Sequence, residues 1–273
     1  MNKMNKQNIH KLLLKIVIFL SLALFLCAIS FVVFFSVLYN KTNLDENLLT
    51  EISTPAQVYS NSDKLIENNV QGVPYVKLEN LNKHTIDAFV SIEDKEFYNH
   101  NGINIKRILG ATLKNITSGS IKEGASTITQ QLIKNTHLTS DKTYDRKIRE
   151  IILALKLEKE YTKDEIMEMY LNAIYFGNNC YGIESASEFY FNKSASELDI
   201  NESAILAGII KSPASYSPIK HKDNITKRKN LVLNEMYNSN AISLDELNQN
   251  ENKGLELNVK TKEFEKQSSY INN

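Results

Sequence analysis

A run of hydrogen-bonding side chains at 124–135 is the part of this sequence best suited to binding a polar ligand. It reads Gly-Ala-Ser-Thr-Ile-Thr-Gln-Gln-Leu-Ile-Lys-Asn and so combines hydroxyls, side-chain amides and a lysine. Ile128 and Leu132 are about one helical turn apart and predict one buried stripe, with the polar side chains on the other faces. Directed hydrogen bonds of this kind suit a sugar or a phosphate. The run alone is equally typical of an ordinary amphipathic helix capped by Ser126 or Thr127.

Two carboxylates stand in segments that suit acid–base chemistry. Glu93 directly follows the largely apolar segment 89–92, which predicts a carboxylate at the mouth of a cleft, the partly desolvated setting of a general base. Glu150 follows Arg146 by one helical turn. The alternatives are a solvated helix end for Glu93 and, for Glu150, a surface ion pair worth only about 0.3–0.5 kcal/mol.

The elements that must position these groups are predicted to be helices. Apolar residues recur at helical spacing from Ile105 to Ile116, and these turns are also predicted to dip into a bilayer. Residues 39–73 are polar and weakly periodic and predict a linker, while the polar chain after Asn248 is expected to fray. Periodicity therefore predicts a mainly α fold. Capping boxes mark three helix starts, at Thr162/Glu165, Ser194/Glu197 and Ser243/Glu246.

Residues 16–38 carry no charged side chain and predict a membrane anchor. At about 1.5 Å per residue they are long enough to cross the roughly 30 Å core of a bilayer. A cleaved signal peptide is the alternative, but its apolar region is shorter, about 7–15 residues, and no Ala-x-Ala pattern follows this one. Lysines precede the segment and acidic residues follow it, which predicts a cytoplasmic N-terminus and an external chain after Tyr39. The lysines are Lys3, Lys6, Lys11 and Lys15, and the acids are Asp45, Glu46 and Glu51.

Charge and cysteine content exclude some classes of function. The 273 residues include 32 Lys and Arg against 32 Asp and Glu, so bulk charge gives no sign of a nucleic-acid partner. Cys27 lies in the apolar run and Cys180 does not, so the two are not expected to pair. No Cys-x-x-Cys or Cys/His cluster indicates zinc.

Five blocks, taken in order, resemble the peptidoglycan glycosyltransferase family, whose members polymerise lipid II either alone or as the first domain of class A penicillin-binding proteins. The resemblance covers roughly residues 74–237, and five ordered blocks make it specific where any one block would be weak. The blocks are Glu93–Gly102, Gly124–Asn135, Arg146–Glu150, Lys163–Asn172 and Glu202–Pro213.

The resemblance implies a mainly α, two-lobed, lysozyme-like glycosyltransferase domain after a single transmembrane helix. The predicted organisation is a cytoplasmic tail (1–15), a transmembrane anchor (16–38), a linker (39–73), the glycosyltransferase domain (74–248) and a polar C-terminal tail (249–273). The chain ends at Asn273 and has no Lys-Thr-Gly triplet, so a monofunctional enzyme is expected. A piece of a longer, bifunctional protein is the alternative.

The resemblance also implies roles for single residues. Glu93 is implied to deprotonate the 4-hydroxyl of the acceptor sugar, with inversion at the donor's anomeric carbon. Glu150 is implied to assist departure of the lipid diphosphate, either by balancing charge or through a divalent cation, Mg²⁺ or Mn²⁺. No other cofactor is expected. The implied substrate- and diphosphate-binding residues are Asp94, Ser126, Thr127, Gln130, Gln131, Lys134, Arg146, Lys147 and Arg228.

The expected partners are lipid II, the growing glycan, the plasma membrane of a bacterium, transpeptidases and division or elongation proteins, with no nucleic acid. Two other functions stay open at this point. A lytic transglycosylase or muramidase shares the implied fold but relies chiefly on one acid and needs no diphosphate-binding cations. A catalytically silent scaffold predicts damaged blocks, whereas Glu93 and Glu150 are both present.

Overall fold

The structure, a computed structural model, is mainly helical over the residues that it describes, which are 6–50, 58–59, 65–67, 74–118, 124–138 and 143–259. The predicted mainly α class is confirmed. A short antiparallel sheet pairs β1 (Val58–Tyr59) with β2 (Leu65–Glu67), in the region where the sequence predicted a linker. The helices are α1 (Lys6–Lys41), α2 (Glu46–Thr50), α3 (Lys83–Glu93), α4 (Ile105–Ser118), α5 (Ile128–His137), α6 (Tyr144–Glu160), α7 (Lys163–Ala173), α8 (Ile183–Phe191), α9 (Ile200–Ile209), α10 (Lys222–Asn238) and α11 (Leu244–Asn252).

Helix α1 belongs to a unit of its own, which ends at Asn43, and a second unit begins at Leu44. Within α1, the stretch His10–Lys41 is long and apolar enough to cross a membrane, and it contains the predicted anchor 16–38. Its apolar side chains are exposed within the unit, as expected of a helix whose surroundings are lipid.

The helices of the second unit form two packed groups that share one continuous hydrophobic core. In one group α3, α9 and α10 pack together with α11, and in the other α5 packs against both α6 and α7. Aromatic contact joins the groups, since the ring of Phe89 on α3 meets that of Phe176, which follows α7, edge to face at 6.1 Å. Helix α10 approaches α9 closely at Gly208, where an added Cβ would lie 3.2 Å from Cγ of Arg228.

Capping boxes fix the starts of several helical segments, including α5 and α7. The three predicted boxes are confirmed, since the hydroxyls of Thr162, Ser194 and Ser243 and the glutamates that follow them make the expected reciprocal hydrogen bonds. Two further boxes were not predicted, at Asp199/Glu202 before α9 and at Thr127/Gln130 before α5.

Helix α4 forms as predicted, and Ile105 is 63% and Leu109 60% exposed. Two segments, the linker and the C-terminal tail, differ from the predictions made for them. Part of the predicted linker is helical: α1 continues to Lys41, and α2 buries Leu49 and packs on α5. The remainder of the linker, apart from β1 and β2, lies outside the described residues, as do residues 119–123.

The chain after Asn248 does not fray over the residues that the structure describes there, 249–259. Helix α11 continues to Asn252, and Lys229 on α10 is fully buried and donates from Nζ to the carbonyls of Asn250 (2.9 Å) and Lys253 (2.7 Å). A buried ammonium that satisfies the open end of a helix is a favourable cap. This is the physical reason that the predicted tail packs on the domain; residues 260–273 lie outside the described residues.

Gly102→Ala is expected to lower the free energy of unfolding by about 2 kcal/mol or more. Gly102 has φ +83°, and an added Cβ would lie 2.8 Å from the carbonyl oxygen of Ala154. Gly110→Ala is the control, because Gly110 lies in α4 with no atom within 4 Å of the added Cβ, and it should be neutral or stabilising by up to about 1 kcal/mol. Thermal unfolding followed by circular dichroism measures both, and equal melting temperatures would contradict the steric argument.

Candidate active site

The first turn of α5 is built from buried hydrogen bonds. Thr127 is the N-cap, and its hydroxyl donates to the carbonyl of Gly102 (2.6 Å) while accepting from the backbone N–H of Gln130 (3.2 Å). The side-chain Oε1 of Gln130 accepts from the backbone N–H of Thr127 (3.1 Å). Both side chains are buried and their polar groups are bonded within the protein. The structure therefore places Thr127 and Gln130, two predicted ligand-binding residues, in the framework of the site.

Glu150 is attached to this turn. Its side chain is 3% exposed, and Oε1 accepts a hydrogen bond from Nε2 of Gln130 (3.1 Å). Lys147, one turn earlier on α6, pairs with the same oxygen, and its ammonium also donates to the hydroxyl of Ser126 (3.2 Å). Glu150 is thus a buried, paired carboxylate, and the alternative of a surface ion pair with Arg146 is wrong.

Glu93 is the last residue of α3, and its side chain contacts Gln131, which follows Gln130 in the first turn of α5. Its Oε2 accepts a hydrogen bond from Nε2 of Gln131 (2.7 Å), and Oε1 lies 3.8 Å from Nη2 of Arg228. The side chains of Glu93 and Arg228 are each 12% exposed. Two consecutive glutamines of α5 therefore donate to the two predicted catalytic carboxylates, one to each.

Asp94 connects the end of α3 to the start of α5. Its Oδ2 accepts from the backbone N–H of Ile128 (3.1 Å) and from Nε2 of His100 (2.9 Å), and Oδ1 lies 3.5 Å from Nη1 of Arg107. A carboxylate at a helix N-terminus is favoured by the helix dipole. Because Asp94 is buried among protein partners, the structure gives it a positioning role rather than that of the predicted substrate ligand.

The predicted cationic side chains differ in their exposure and in their contacts. Lys134 lies one turn after Gln130 on α5, is exposed, and has no hydrogen bond or ion pair with the described residues. Arg146 is partly buried, and within the described part of the chain its Nε atom is buried without a hydrogen-bond partner. Arg228 has its guanidinium 5.9 Å from the ring centre of Tyr216. These groups and Lys147 supply the positive charge that an anionic ligand requires.

Two residues of the site were missed in the sequence. Arg107 on α4 donates to the backbone carbonyls of Glu93 and Gly124, and so links the end of α3 to the segment that precedes α5. Tyr170 on α7 donates its hydroxyl to Oε1 of Gln131 (3.3 Å). Burial, together with the charges of Glu93 and Asp94, raises the pKa of Tyr170 well above its usual value, so the phenol stays a donor. Tyr170 lies in the Lys163–Asn172 block, and this location was the sign in the sequence that it could belong to the site.

The described residues contain no group of three or more His, Cys, Asp or Glu side chains that could hold a metal ion. Near Glu150, the donors Gln130 and Lys147 already occupy Oε1. The predicted Mg²⁺ or Mn²⁺ therefore stays a prediction. A cavity of about 630 Å³ lies elsewhere, between Lys77, Tyr98 and Glu168, and it is lined by none of the predicted site residues.

Comparison with known proteins finds a matching family model and relatives that cover most of the chain. A family model described as transglycosylase matches residues 62–237. Penicillin-binding protein 1F of Bacillus subtilis (strain 168) is 41% identical over 217 residues, which are 80% of this chain and 30% of that protein. Penicillin-binding protein 1A of Aquifex aeolicus (strain VF5) is 40% identical over 224 residues, 81% of this chain and 31% of that protein.

Among solved structures, penicillin-binding protein 1A from Haemophilus influenzae is similar with a TM-score of 0.44 and 22% identity, over 80% of this chain and 23% of that chain. The chain spans about a third of the length of the curated relatives it matches.

Asp94→Ala is expected to lower the free energy of unfolding by about 3 kcal/mol, because it leaves buried donors on His100 and Ile128 without an acceptor. Asp87→Ala, on α3, removes only an exposed pair with Lys83 and should cost about 0.5 kcal/mol or less. Urea unfolding of both variants measures the difference. A loss at position 94 no larger than that at position 87 would show that Asp94 does not join α3 to α5.

Proposed function

The chain belongs to the transglycosylase family, and from this membership we propose that it is a peptidoglycan glycosyltransferase, which polymerises lipid II into β-1,4-linked glycan strands. The observation that carries the proposal is the pair of carboxylates, Glu93 and Glu150, each held by one of two consecutive glutamines with cationic side chains beside them. One carboxylate is needed to accept a proton and cations are needed to balance a departing diphosphate.

Glu93 is the general base of the proposed reaction. Gln131 occupies Oε2, which leaves Oε1 to accept the proton of the acceptor's 4-hydroxyl. The acceptor oxygen forms a bond to the anomeric carbon of the donor as the bond from that carbon to the lipid diphosphate breaks. Attack on the face opposite an α-linked leaving group inverts the centre and gives the β-1,4 linkage, as in inverting glycosidases with two separate carboxylates.

The cations of α5 and α6 stabilise the leaving undecaprenyl diphosphate. Glu150 is buried, and its contact with Lys147 fixes that ammonium beside Ser126 before any ligand arrives. Positive charge that is already in place costs no reorganisation as negative charge develops on the diphosphate. Lys134 on α5 and Arg146 on α6 are the further cations proposed to meet the diphosphate.

Helix α1 anchors the enzyme in the plasma membrane of a bacterium, with the N-terminus in the cytoplasm and the catalytic unit outside. Lysines before the apolar stretch and acidic residues after it support this orientation. The exposed side chains of Ile105 and Leu109 on α4 suit contact with the bilayer that holds the substrate's lipid. Transpeptidases and division or elongation proteins are the expected partners of such an enzyme.

Glu93→Gln is expected to reduce glycan formation from labelled lipid II by about 10²–10⁴-fold, because it removes the proton acceptor. The matched control is Glu246→Gln, which changes a carboxylate in the capping box of α11 and should leave the rate unchanged, since glutamine also serves in that box. Separation of the labelled glycan on a gel measures how much polymer each variant forms in a given time.

Three results would contradict the proposal. Unchanged polymerisation by the Glu93→Gln variant would show that Glu93 is not the general base. Shortening of preformed glycan by the wild type, with no polymerisation, would favour a lytic enzyme. No reaction from the wild type, in an assay where a known polymerase works, would favour a scaffold.

A further inference from the structure

We propose that Tyr170 is a positioning residue for Glu93, acting through the side-chain amide of Gln131. The three groups form one chain of hydrogen bonds from α7 through α5 to the end of α3. This inference rests on the proposed function, because it concerns the carboxylate that accepts the proton.

The amide of Gln131 has a donor end and an acceptor end, and only one orientation satisfies both neighbours. A carboxylate accepts hydrogen bonds and cannot donate them, so Glu93 requires the NH₂ end of the amide, which lies 2.7 Å from Oε2. The phenol of Tyr170 donates to the other end, Oε1, at 3.3 Å. Without that phenol, Oε1 of the amide loses its donor, so only the contact with Glu93 holds the amide and the position of its NH₂ end is less fixed.

The surroundings of Tyr170 make its hydroxyl dependent on this contact. The side chain is fully buried, so water does not offer another acceptor. Burial and the nearby carboxylates raise its pKa well above the usual value, which keeps the proton on the phenol across the neutral range. The donor is therefore present at every pH at which the enzyme is assayed.

The charged groups around Glu93 come from two further helices, α10 and α4, and from the residue that follows it. Arg228 of α10 lies 3.8 Å from Oε1, Arg107 of α4 donates to the backbone carbonyl of Glu93, and Asp94 follows it in the chain. None of these replaces the N–H donated by Gln131 to Oε2. Loss of that N–H leaves the carboxylate less firmly positioned for proton transfer, so kcat should fall while KM changes little.

Tyr170→Phe and Tyr190→Phe form a matched pair for the test. Each removes one hydroxyl from a fully buried tyrosine, but the hydroxyl of Tyr190 bonds to Asn178 and to the carbonyl of Phe176. With labelled lipid II, Tyr170→Phe should lower kcat by about tenfold and leave KM within about twofold. Tyr190→Phe should leave kcat and KM as in the wild type, at a temperature where both variants are folded.

A double substitution tests whether Tyr170 acts through Gln131. Gln131→Leu removes the amide, so adding Tyr170→Phe to it should cause no further loss of kcat, whereas independent roles give losses that multiply. Multiplying losses, or identical behaviour of Tyr170→Phe and Tyr190→Phe in a wild-type protein that polymerises, would overturn the inference and leave the proposed function standing. A wild type that makes no glycan would overturn both.

Discussion

The candidate site depends on one constraint, which is that the polar groups at the start of α5 are buried and must all be hydrogen-bonded. Thr127 and Gln130 satisfy each other in a capping box, and Asp94 accepts the N–H of Ile128. The side-chain NH₂ group of Gln130 takes no part in that box and donates to Glu150. Because buried amides and carboxylates have few ways to satisfy one another, this turn fixes the place of side chains from α3 and α6 at the same time.

The two proposed catalytic carboxylates differ in how many hydrogen bonds and cations the protein offers them. Glu150 receives an ammonium and an amide on one buried oxygen, which suits a group that holds a cation in place. Glu93 has one short hydrogen bond, to Oε2, and only the longer approach of Arg228 to Oε1. The carboxylate with an oxygen still available is the one at which a proton can be accepted. The division of roles thus follows from unequal bonding around two similar groups.

Local patterns in the sequence predicted much of this arrangement, and contacts between distant segments account for what was missed. The capping boxes at Thr162, Ser194 and Ser243 involve residues three apart and were confirmed, and the block that contains Gln130 and Gln131 lies at the site. Arg107 contacts backbone carbonyls at positions 93 and 124, a partnership that periodicity does not encode. The packing of residues 249–259 depends in the same way on Lys229, a lysine that composition assigns to the surface.

The most direct test of the central claim compares two N-caps, Thr127→Val and Thr162→Val. Both substitutions remove the hydroxyl from a capping box and should cost about 1–2 kcal/mol of stability, but only the first box holds a glutamine that bonds Glu150. With both variants folded, the rate of lipid II polymerisation should fall by about 10²-fold for Thr127→Val and by less than about twofold for Thr162→Val. Equal rates for the two variants would contradict the claim that the first turn of α5 positions the catalytic carboxylates.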